Sequence, residues 1–412
     1  MHHFEHKNGS LFVEDVSVKD LAVRYGTPLY VYSTATLTRH FQAFDQAFSA
    51  MPHLTCYSVK ANSNLAILRL LAGLGAGMDI VSGGELYRAL MAGVAPEKIV
   101  YSGVGKKPEE IRQALTAGIL MFNVESTQEL LRINDVAKSM GKVAKVSFRI
   151  NPDVDPKTHP YISTGMKKNK FGLSIENAME AYAMTRDLPA IEAVGMDCHI
   201  GSQLTTIAPF LEALDKLLAF YEKLKGMNLN IQYLDLGGGL GIPYNEEEPP
   251  LPVEFGKAVT DALKNIPLKL LLEPGRVIVG NAGILVTEVQ YIKPTPSKNF
   301  VIVDAAMNDL VRPSLYGSFH RIEEVEQHGR PAIDVDVVGP ICESGDFLAK
   351  DRQLAEMQQG ELLAVYSAGA YGFTMSSNYN TRPRAAEILV DGDKVTVARR
   401  RESYENLVAN EI

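Results

Sequence analysis

The sequence predicts a parallel (β/α)8 TIM barrel over residues 30–274, followed by a C-terminal all-β domain over residues 275–412. Two observations predict this α/β fold class. Before residue 275, short apolar runs alternate with helical patterns, whereas after it strand-like runs follow one another with almost no helix between them. A barrel of this kind needs about 250 residues. The chain of 412 residues therefore has room for both domains.

Eight apolar runs supply the predicted barrel strands. They are LTCYSV (54–59), MDIVS (78–82), KIVYS (98–102), LMFNV (120–124), AKVSFRI (144–150), VGMDCHI (194–200), IQYLDLG (231–237) and LKLLLEP (268–274). The segments between them have helical spacing, as in NLAILRLLAGL and PEEIRQALTAG, and several begin with Ser, Thr or Pro and end at Gly. Strands and helices therefore alternate as a parallel barrel requires.

Short strands with Gly, Pro and Asp turns predict the C-terminal domain. They are ILVTEVQYI, FVIVD, AIDVDVVG, ELLAVYS, AEILV and KVTVARR, with a helix expected at SYENLVAN. At the other end, residues 1–29 and the string PLYVYS precede the barrel and are expected to pack with the C-terminal sheet. Residues 151–172 form a long segment rich in Pro, Lys and Gly, which predicts a lid after the fifth strand.

Composition excludes several classes of protein. A formal net charge of −8, without a basic patch, gives no general attraction to nucleic acid or anionic lipid. No apolar stretch is long enough for a membrane span, and MHHFEHKNGS lacks the apolar core of a signal peptide. Three cysteines without CxxC spacing predict a reducing compartment and no zinc site. We therefore expect a cytoplasmic protein without a metal.

Chemically capable residues follow the predicted strands. Lys60 follows the first strand, Asp79 and Ser82 lie at the end of the second, and His199 closes the sixth. Glycines 237–239 follow the seventh strand, and residues 273–276 follow the eighth. Active sites of TIM barrels lie at the C-terminal ends of the strands, so these residues are expected to meet at one face.

These groups together indicate pyridoxal phosphate as the cofactor. GGGLG lacks the pattern of a nucleotide loop, but its place after strand seven is one where barrels bind phosphate. A desolvated lysine such as Lys60 forms Schiff bases with aldehydes, and a carboxylate such as Glu273 suits a pyridine nitrogen. The simpler alternatives are a tight glycine turn, a surface lysine, a structural His199 and a Glu273–Arg276 ion pair.

The three cysteines differ in their expected surroundings. Cys56 and Cys198 lie in apolar runs and are expected in the core. Cys342 lies in the loop VVGPICESGDF beside Glu343, where a nearby carboxylate keeps a thiol protonated and able to donate a proton.

The chain resembles the diaminopimelate decarboxylase family of pyridoxal-phosphate enzymes, which have an alanine-racemase-like fold. The strings YSVKAN, HPYISTG, HIGSQ, DLGGG, EPGR, MNDLVRPSLY, GPICESGD and AGAYG carry the resemblance, in this order. It implies that Lys60 bonds the cofactor aldehyde, His199 stacks on the ring and Glu273 pairs with the pyridine nitrogen. The remaining residues implied to bind the cofactor are Asp79, Ser202, Gly238, Gly239, Gly275, Arg276 and Tyr371. The resemblance also implies a homodimer with shared active sites, in which Cys342 and Glu343 enter the partner's barrel.

The substrate implied is meso-diaminopimelate, converted to lysine and carbon dioxide in the last step of lysine biosynthesis. Arg312, Tyr316, Tyr371 and the Arg276 side chain suit a carboxylate at the far end of the substrate, and Glu343 suits an ammonium. The alternatives are another basic amino-acid decarboxylase of this fold, which Arg312 and Glu343 disfavour, a non-catalytic pyridoxal-phosphate carrier, and a plain metabolite-binding barrel. Either Cys342 or Lys60 is expected to deliver the final proton.

Overall fold

The computed structural model describes residues 2–155 and 170–412. The chain divides into two units. The first, called the β unit, comprises Met1–His40, Pro243–Glu247 and Arg276–Ile412. The second, called the barrel unit, comprises Phe41–Ile242 and Glu248–Gly275. The predicted lid, residues 151–172, stays a prediction because residues 156–169 lie outside the described residues.

The N-terminal segment of the β unit begins with a small antiparallel sheet. Its strands are β1 (Phe4–Lys7), β2 (Ser10–Val13) and β3 (Val16–Ser17). Helix α1 (Val18–Tyr25) follows, and its first turn is capped by Ser17, whose side chain accepts a hydrogen bond from the backbone N–H of Asp20 at 3.2 Å. Strand β4 (Leu29–Ser33), which is fully buried, and helix α2 (Thr34–Gln46) come next.

Eight parallel strands close the barrel unit into a cylinder, each pairing with the next in the chain and the last with the first. They are β5 (His53–Ser58), β6 (Gly77–Ile80), β7 (Ile99–Tyr101), β8 (Met121–Val124), β9 (Ala144–Arg149), β10 (Ile191–Asp197), β11 (Tyr233–Asp235) and β12 (Lys269–Leu272). Each lies within or beside one of the predicted apolar runs. The predicted (β/α)8 barrel is therefore confirmed.

Helices separate the barrel strands. They are α3 (Leu65–Gly73), α4 (Gly83–Met91), α5 (Pro108–Ala117), α6 (Thr127–Ser139), α7 (Ile175–Met184), α8 (Ala208–Lys225) and α9 (Pro252–Ala262). Serines cap three of them: the hydroxyls of Ser82, Ser126 and Ser174 accept hydrogen bonds from backbone N–H groups three residues later, at 3.2, 3.2 and 3.1 Å. Such caps satisfy donors that the first helical turn leaves without partners.

The barrel strands carry an apolar layer and, two residues later, a polar one. Cys56, Val100, Met121, Val194 and Leu271 pack together as a buried apolar cluster. Side chains two residues apart on a strand point to the same face. Tyr233 packs against this cluster. The polar residues two positions after Tyr233 and after four members of the cluster are called here the polar layer, and they are Ser58, Ser102, Asn123, Asp235 and Glu273. The polar layer is buried and lies at or just beyond the C-terminal ends of the strands.

The C-terminal part of the β unit is a mixed sheet. Its strands are β13 (Gly283–Pro294), β14 (Asn299–Val303), β15 (Ile322–Glu324), β16 (Ala332–Val338), β17 (Phe347–Ala355), β18 (Leu362–Val365), β19 (Ala386–Asp391) and β20 (Lys394–Arg399). Short helices α10 (Arg276–Val279), α11 (Arg312–Tyr316) and α12 (Tyr404–Val408) accompany them. The main path of the sheet runs β17, β16, β14, β13, β4, β19, β20, while β18 pairs with β13 and β15.

Strand β4 lies inside this sheet, antiparallel to β13 and parallel to β19. The N-terminal segment also shares the core of the β unit, where Leu11 and Val13 pack with Ile284 and Ile388. The predicted separate β domain is confirmed as a fold class, but β15 and β17 were missed. Strand β17 carries Lys, Asp and Arg at its centre, as suits a charged strand at the edge of a sheet. No helix in the described ranges is long and apolar enough to cross a membrane.

Candidate active site

Lys60 lies in a short turn directly after β5, with its amine at the end of the barrel. Its Nζ lies 2.9 Å from Oδ2 of Asp79, a fully buried residue of β6, while the Lys60 side chain is 37% exposed. The hydroxyl of Ser58 lies 2.6 Å from the same Asp79 oxygen. Oδ1 of Asp79 is buried and has no hydrogen-bond partner among the described residues. The lysine amine is thus held beside a buried carboxylate, and its side chain is partly exposed.

Glu273 is fixed by the polar layer. Its Oε1 lies 3.1 Å from the Ser102 hydroxyl and 3.2 Å from Nδ2 of Asn123. The amide of Asn123 cannot flip without loss, because its Oδ1 accepts a hydrogen bond from Ser147 at 2.6 Å. Burial, with Asp235 and Asp79 nearby, raises the pKa of Glu273 well above its usual range. The Glu273 carboxyl is therefore held in one position and binds a proton readily.

Two further carboxyls lie beside Glu273. Single oxygens of Asp197, Asp235 and Glu273 all lie within 4.8 Å of one another. Burial and the nearby Asp197 raise the pKa of Asp235 to about 8, and burial also raises the pKa of Asp197. Arg149, buried at the end of β9, lowers the pKa of Asp197 but donates hydrogen bonds to Glu125 at 2.8 Å and to the carbonyl oxygen of His199 at 3.3 Å. Several like charges cannot all ionise at this spacing, so the three carboxyls share protons.

His199 lies two residues after β10 and beside the glycine turn. Its Nδ1 accepts a hydrogen bond from the backbone N–H of Gly238 at 3.1 Å. Burial, with Arg149 and Lys60 nearby, lowers the pKa of His199 well below its usual range. The ring is therefore neutral and carries its proton on Nε2. Its chain neighbour Cys198 is buried, as is Cys56, as expected from the sequence.

The glycine turn after β11 requires glycine. Gly239 has a φ of 122°, and a Cβ there would lie 2.5 Å from the carbonyl oxygen of Gly201. A Cβ at Gly238 would collide with the carbonyl oxygen of Glu273. Ser202, half-buried, lies in the adjoining loop after β10. Gly275 packs against Ala61, next to Lys60, where an added Cβ would lie 2.9 Å from the Ala61 side chain.

The remaining predicted site residues belong to the β unit, where two buried arginines share a tyrosine. Nη1 of Arg276 donates to the Tyr244 hydroxyl at 2.7 Å, and the guanidinium of Arg312 lies 4.5 Å from the centre of the Tyr244 ring. Arg276 also lies 4.9 Å from the ring of Tyr371. The half-buried Tyr316, at the end of α11, contributes to the electrostatic surroundings of both arginines. The structure thus brings together the residues predicted to bind a carboxylate.

Tyr371 has a φ of 56°, a left-handed conformation that is unusual for a bulky side chain. Such conformations persist where the surroundings determine them, and they occur often at ligand sites.

Cys342 and Glu343 lie on the surface of the β unit. Both side chains are exposed, and the backbone N–H of Cys342 donates to Asn380 at 3.0 Å. Glu343 accepts a hydrogen bond from the hydroxyl of Tyr379.

The sequence did not single out five residues of these clusters. They are Ser102, Asn123, Asp235, Tyr244 and His320. The first three were detectable as polar residues inside apolar strands, two positions after a core residue. Tyr244 lies in the irregular segment IPYNEEEPP, and His320 lies outside any recognised motif, so no sequence signal indicated either of them.

The barrel unit fits pyridoxal phosphate. It has an amine beside a buried carboxylate, a proton-binding carboxyl fixed by two donors, a neutral imidazole and a glycine turn. The buried Asp79 oxygen without a partner marks a place for a further polar group.

The comparison with protein families agrees with this fit. The family model "Pyridoxal-dependent decarboxylase, pyridoxal binding domain" matches residues 34–280. The chain therefore belongs to the pyridoxal-dependent decarboxylases, and its cofactor is pyridoxal phosphate.

Within this class the chain is a carboxy-lyase of the diaminopimelate decarboxylase family. It is 55% identical over 406 residues to the diaminopimelate decarboxylase of Vibrio cholerae, covering 98% of this chain and 97% of that protein. The solved diaminopimelate decarboxylase of Helicobacter pylori, complexed with L-lysine, has a TM-score of 0.93 at 43% identity, covering 95% and 98% of the two chains. That of M. jannaschii, also with L-lysine, has a TM-score of 0.95 at 42% identity and covers 99% and 97%.

Proposed function

We propose that this protein removes carbon dioxide from meso-2,6-diaminopimelate and leaves L-lysine, in the last step of lysine biosynthesis. The main support for this substrate comes from the surroundings of Arg312. Its guanidinium is buried, and within the part of the chain that the structure describes its hydrogen-bond acceptors are the neutral side chains of His320 and Ser318. A buried charge without a counter-charge is costly, and a bidentate carboxylate is the natural partner of a guanidinium.

The barrel residues have distinct roles in this proposal. Lys60 would carry the cofactor through its amine, which Asp79 orients. Glu273 would keep the pyridine nitrogen protonated, and its raised pKa and fixed position suit it to this role. Pyridoxal phosphate supplies, when bound, an electron-accepting ring for the electron pair left on carbon when carbon dioxide departs.

Other residues would hold the cofactor without taking part in proton transfer. The neutral ring of His199 would help to hold the cofactor ring. Its phosphate would be bound by Ser202, Tyr371 and the backbone groups of Gly238, Gly239, Gly275 and Arg276, because backbone N–H groups in glycine turns favour anions.

In the β unit, Arg312 and Arg276 bind the carboxylate that does not react, with Tyr316 and Tyr371 beside it. Glu343 binds the distal ammonium. Lysine and ornithine have an ammonium at that end but no carboxylate, so they would leave Arg312 without its partner. This chemistry separates the proposal from a lysine or ornithine decarboxylase of the same fold. The L-lysine in the two solved relatives is the expected product.

We further propose a homodimer with shared active sites. Cys342 and Glu343 are exposed on their own unit, as residues that act in a second subunit would be before assembly. The proton that replaces carbon dioxide then comes from the Cys342 thiol or from the Lys60 amine. The cytoplasmic location expected from the sequence stays a prediction.

A carbon dioxide release assay tests the substrate. The purified protein, loaded with pyridoxal phosphate, is given meso-diaminopimelate, L-lysine, L-ornithine or L-arginine separately. We expect release from meso-diaminopimelate and at most trace release from the other three. Faster release from lysine or ornithine would overturn the substrate assignment, and no release from any of them would favour a non-catalytic carrier.

A further inference from the structure

His320 is a fully buried histidine of the β unit that lies against Arg312. Its Nε2 lies 2.9 Å from Nη1 of Arg312, and its Nδ1 lies 2.8 Å from the carbonyl oxygen of Tyr366. The Tyr244 ring, which also lies against Arg312, meets the His320 ring edge-on at 5.3 Å between centres. His320 therefore belongs to the same cluster as the two arginines.

These contacts fix the protonation of the ring. A carbonyl oxygen only accepts, so Nδ1 must carry the hydrogen that bonds to Tyr366. A guanidinium only donates, so Nε2 must accept from Arg312 and therefore carries no hydrogen. Burial and the neighbouring Arg312 lower the pKa of His320 to about 3, in agreement with this neutral tautomer.

The hydrogen-bond acceptors around Arg312 suit its proposed role in binding a carboxylate. His320 takes one N–H at Nη1, and the Ser318 hydroxyl takes another at Nη2, 3.2 Å away. Both are neutral, so they orient the guanidinium but leave its full positive charge. Nε of Arg312 is buried and has no hydrogen-bond partner among the described residues. An aspartate or glutamate facing Arg312 would also accept its N–H groups but would neutralise its charge, and a substrate carboxylate would then gain little.

We propose that His320 is a specificity-determining positioning residue, which orients Arg312 through a neutral acceptor and so keeps its charge for the non-reacting carboxylate of the substrate. This inference rests on the proposed role of Arg312. Its consequence is selective: loss of the acceptor weakens recognition of the carboxylate more than recognition of the amines.

Two ligands separate these contributions. L-Lysine keeps the non-reacting carboxylate and both amines, whereas cadaverine has both amines and no carboxylate. The ratio of their competitive inhibition constants against meso-diaminopimelate therefore measures carboxylate recognition in the assembled holoenzyme. Arg312→Leu should lower the preference for L-lysine at least roughly tenfold, because a charge-assisted contact is lost.

Two substitutions of His320 form a matched pair. In His320→Gln the side-chain amide can reach both Arg312 and the Tyr366 carbonyl, so the preference for L-lysine over cadaverine should stay within about twofold of wild type. The shorter side chain of His320→Asn keeps the bond to Tyr366 and loses the acceptor for Arg312. His320→Asn should therefore lower the preference roughly tenfold, mainly through KM of meso-diaminopimelate, and should have no further effect in the Arg312→Leu background. The control is His53→Asn. His53 lies in the barrel unit, and its Nδ1 also bonds a backbone carbonyl, that of Met51, at 3.0 Å.

The outcomes distinguish the two proposals. If Arg312→Leu leaves the preference unchanged, the proposed carboxylate site is wrong. If Arg312→Leu lowers it but a folded His320→Asn does not, only the role of His320 is wrong. Should His320→Asn fail to fold, nitrogen NMR of 15N-histidine-labelled wild-type holoenzyme gives an independent answer. A pyridine-type Nε2 for His320 between pH 6 and 8 is expected, and a doubly protonated ring would overturn the inference because it cannot accept from Arg312.

Discussion

Asp235 and Glu273 bind the same amide nitrogen, Nδ2 of Asn123, each at 3.2 Å. An amide has two N–H groups, so it can donate one to each carboxyl, and Ser102 adds a second donor to Glu273. The two carboxyls are thereby held close together in a buried site, where the first to ionise disfavours ionisation of the other. The arrangement stores a proton next to the residue proposed to protonate the cofactor ring.

This storage predicts a pH dependence of stability. The pKa of Asp235 is about 8 in the folded protein, against an ordinary 3.8. Between these pH values the folded state holds a proton that the unfolded state releases. The contribution of Asp235 to the unfolding free energy is therefore fully present below about pH 4 and is lost as the pH rises to about 8. We expect Asp235→Asn to reduce the fall in unfolding free energy between pH 5 and pH 8 by about 1 kcal/mol or more. Urea unfolding at both pH values, with saturating cofactor, measures it.

The exposed Asp135 on α6 provides the control for this measurement. Asp135→Asn should leave the difference between the two pH values as in wild type. An equal fall in wild type and Asp235→Asn would show that Asp235 is already ionised at pH 5.

The second prediction concerns the attachment lysine. Borohydride reduction of the holoenzyme, followed by peptide mapping, should place the pyridoxyl group on Lys60, because its amine lies at the end of the barrel beside the buried Asp79. Lys106 makes the sharpest comparison, since its buried amine is engaged by Glu129 at 2.7 Å and by two backbone carbonyls. Label on Lys106 or on the exposed Lys107 would contradict the assignment.

The third prediction concerns the shared site. Lys60→Ala and Cys342→Ala chains should each lose most activity, and mixing them should restore part of it, since a heterodimer contains one site with both groups intact. Activity is measured after subunit exchange, which is followed with differently tagged chains. Exchange without recovery would place Cys342 and Lys60 of one chain in the same site.

The fourth prediction concerns the substrate. Arg312→Leu should lower kcat/KM for meso-diaminopimelate at least roughly tenfold, because a bidentate charge-assisted contact is lost, and should leave the cofactor absorbance unchanged. Arg321→Leu is a suitable control, because Arg321 is exposed and pairs with Glu323 at 3.1 Å. Wild-type efficiency in Arg312→Leu would remove the main physical support for the substrate assignment.

Much of the barrel was predictable because its strands are continuous apolar runs and its charged groups follow strand ends. The polar layer was harder to predict. Asn123 in MFNV and Asp235 in YLD are single polar residues in buried strands. Only closure of the barrel shows that the Asn123 amide donates to both Asp235 and Glu273. A strict count of alternate positions from Met121 would have indicated that Asn123 faces the same side as the core residue. No sequence pattern specifies the contact between Asn123 and Asp235.

The arginine cluster shows a different limit. Arg312 and His320 are eight residues apart, and the left-handed backbone of Gly317, with a φ of 62°, lies between them. That turn brings the ring of His320 to the guanidinium, and a sequence containing GSFH does not specify its direction. Strand β17 was missed for a related reason, because charged residues at a sheet edge obscure the apolar period.

The place of β4 in the sheet has a consequence for folding of the chain during translation. Leu29–Ser33 leaves the ribosome early, yet its neighbours β13 and β19 begin at Gly283 and Ala386. Until both are made, this fully buried strand lacks its partners, and exposed strand edges of this kind invite aggregation. Burial of this early segment therefore depends on strands that are made much later in translation.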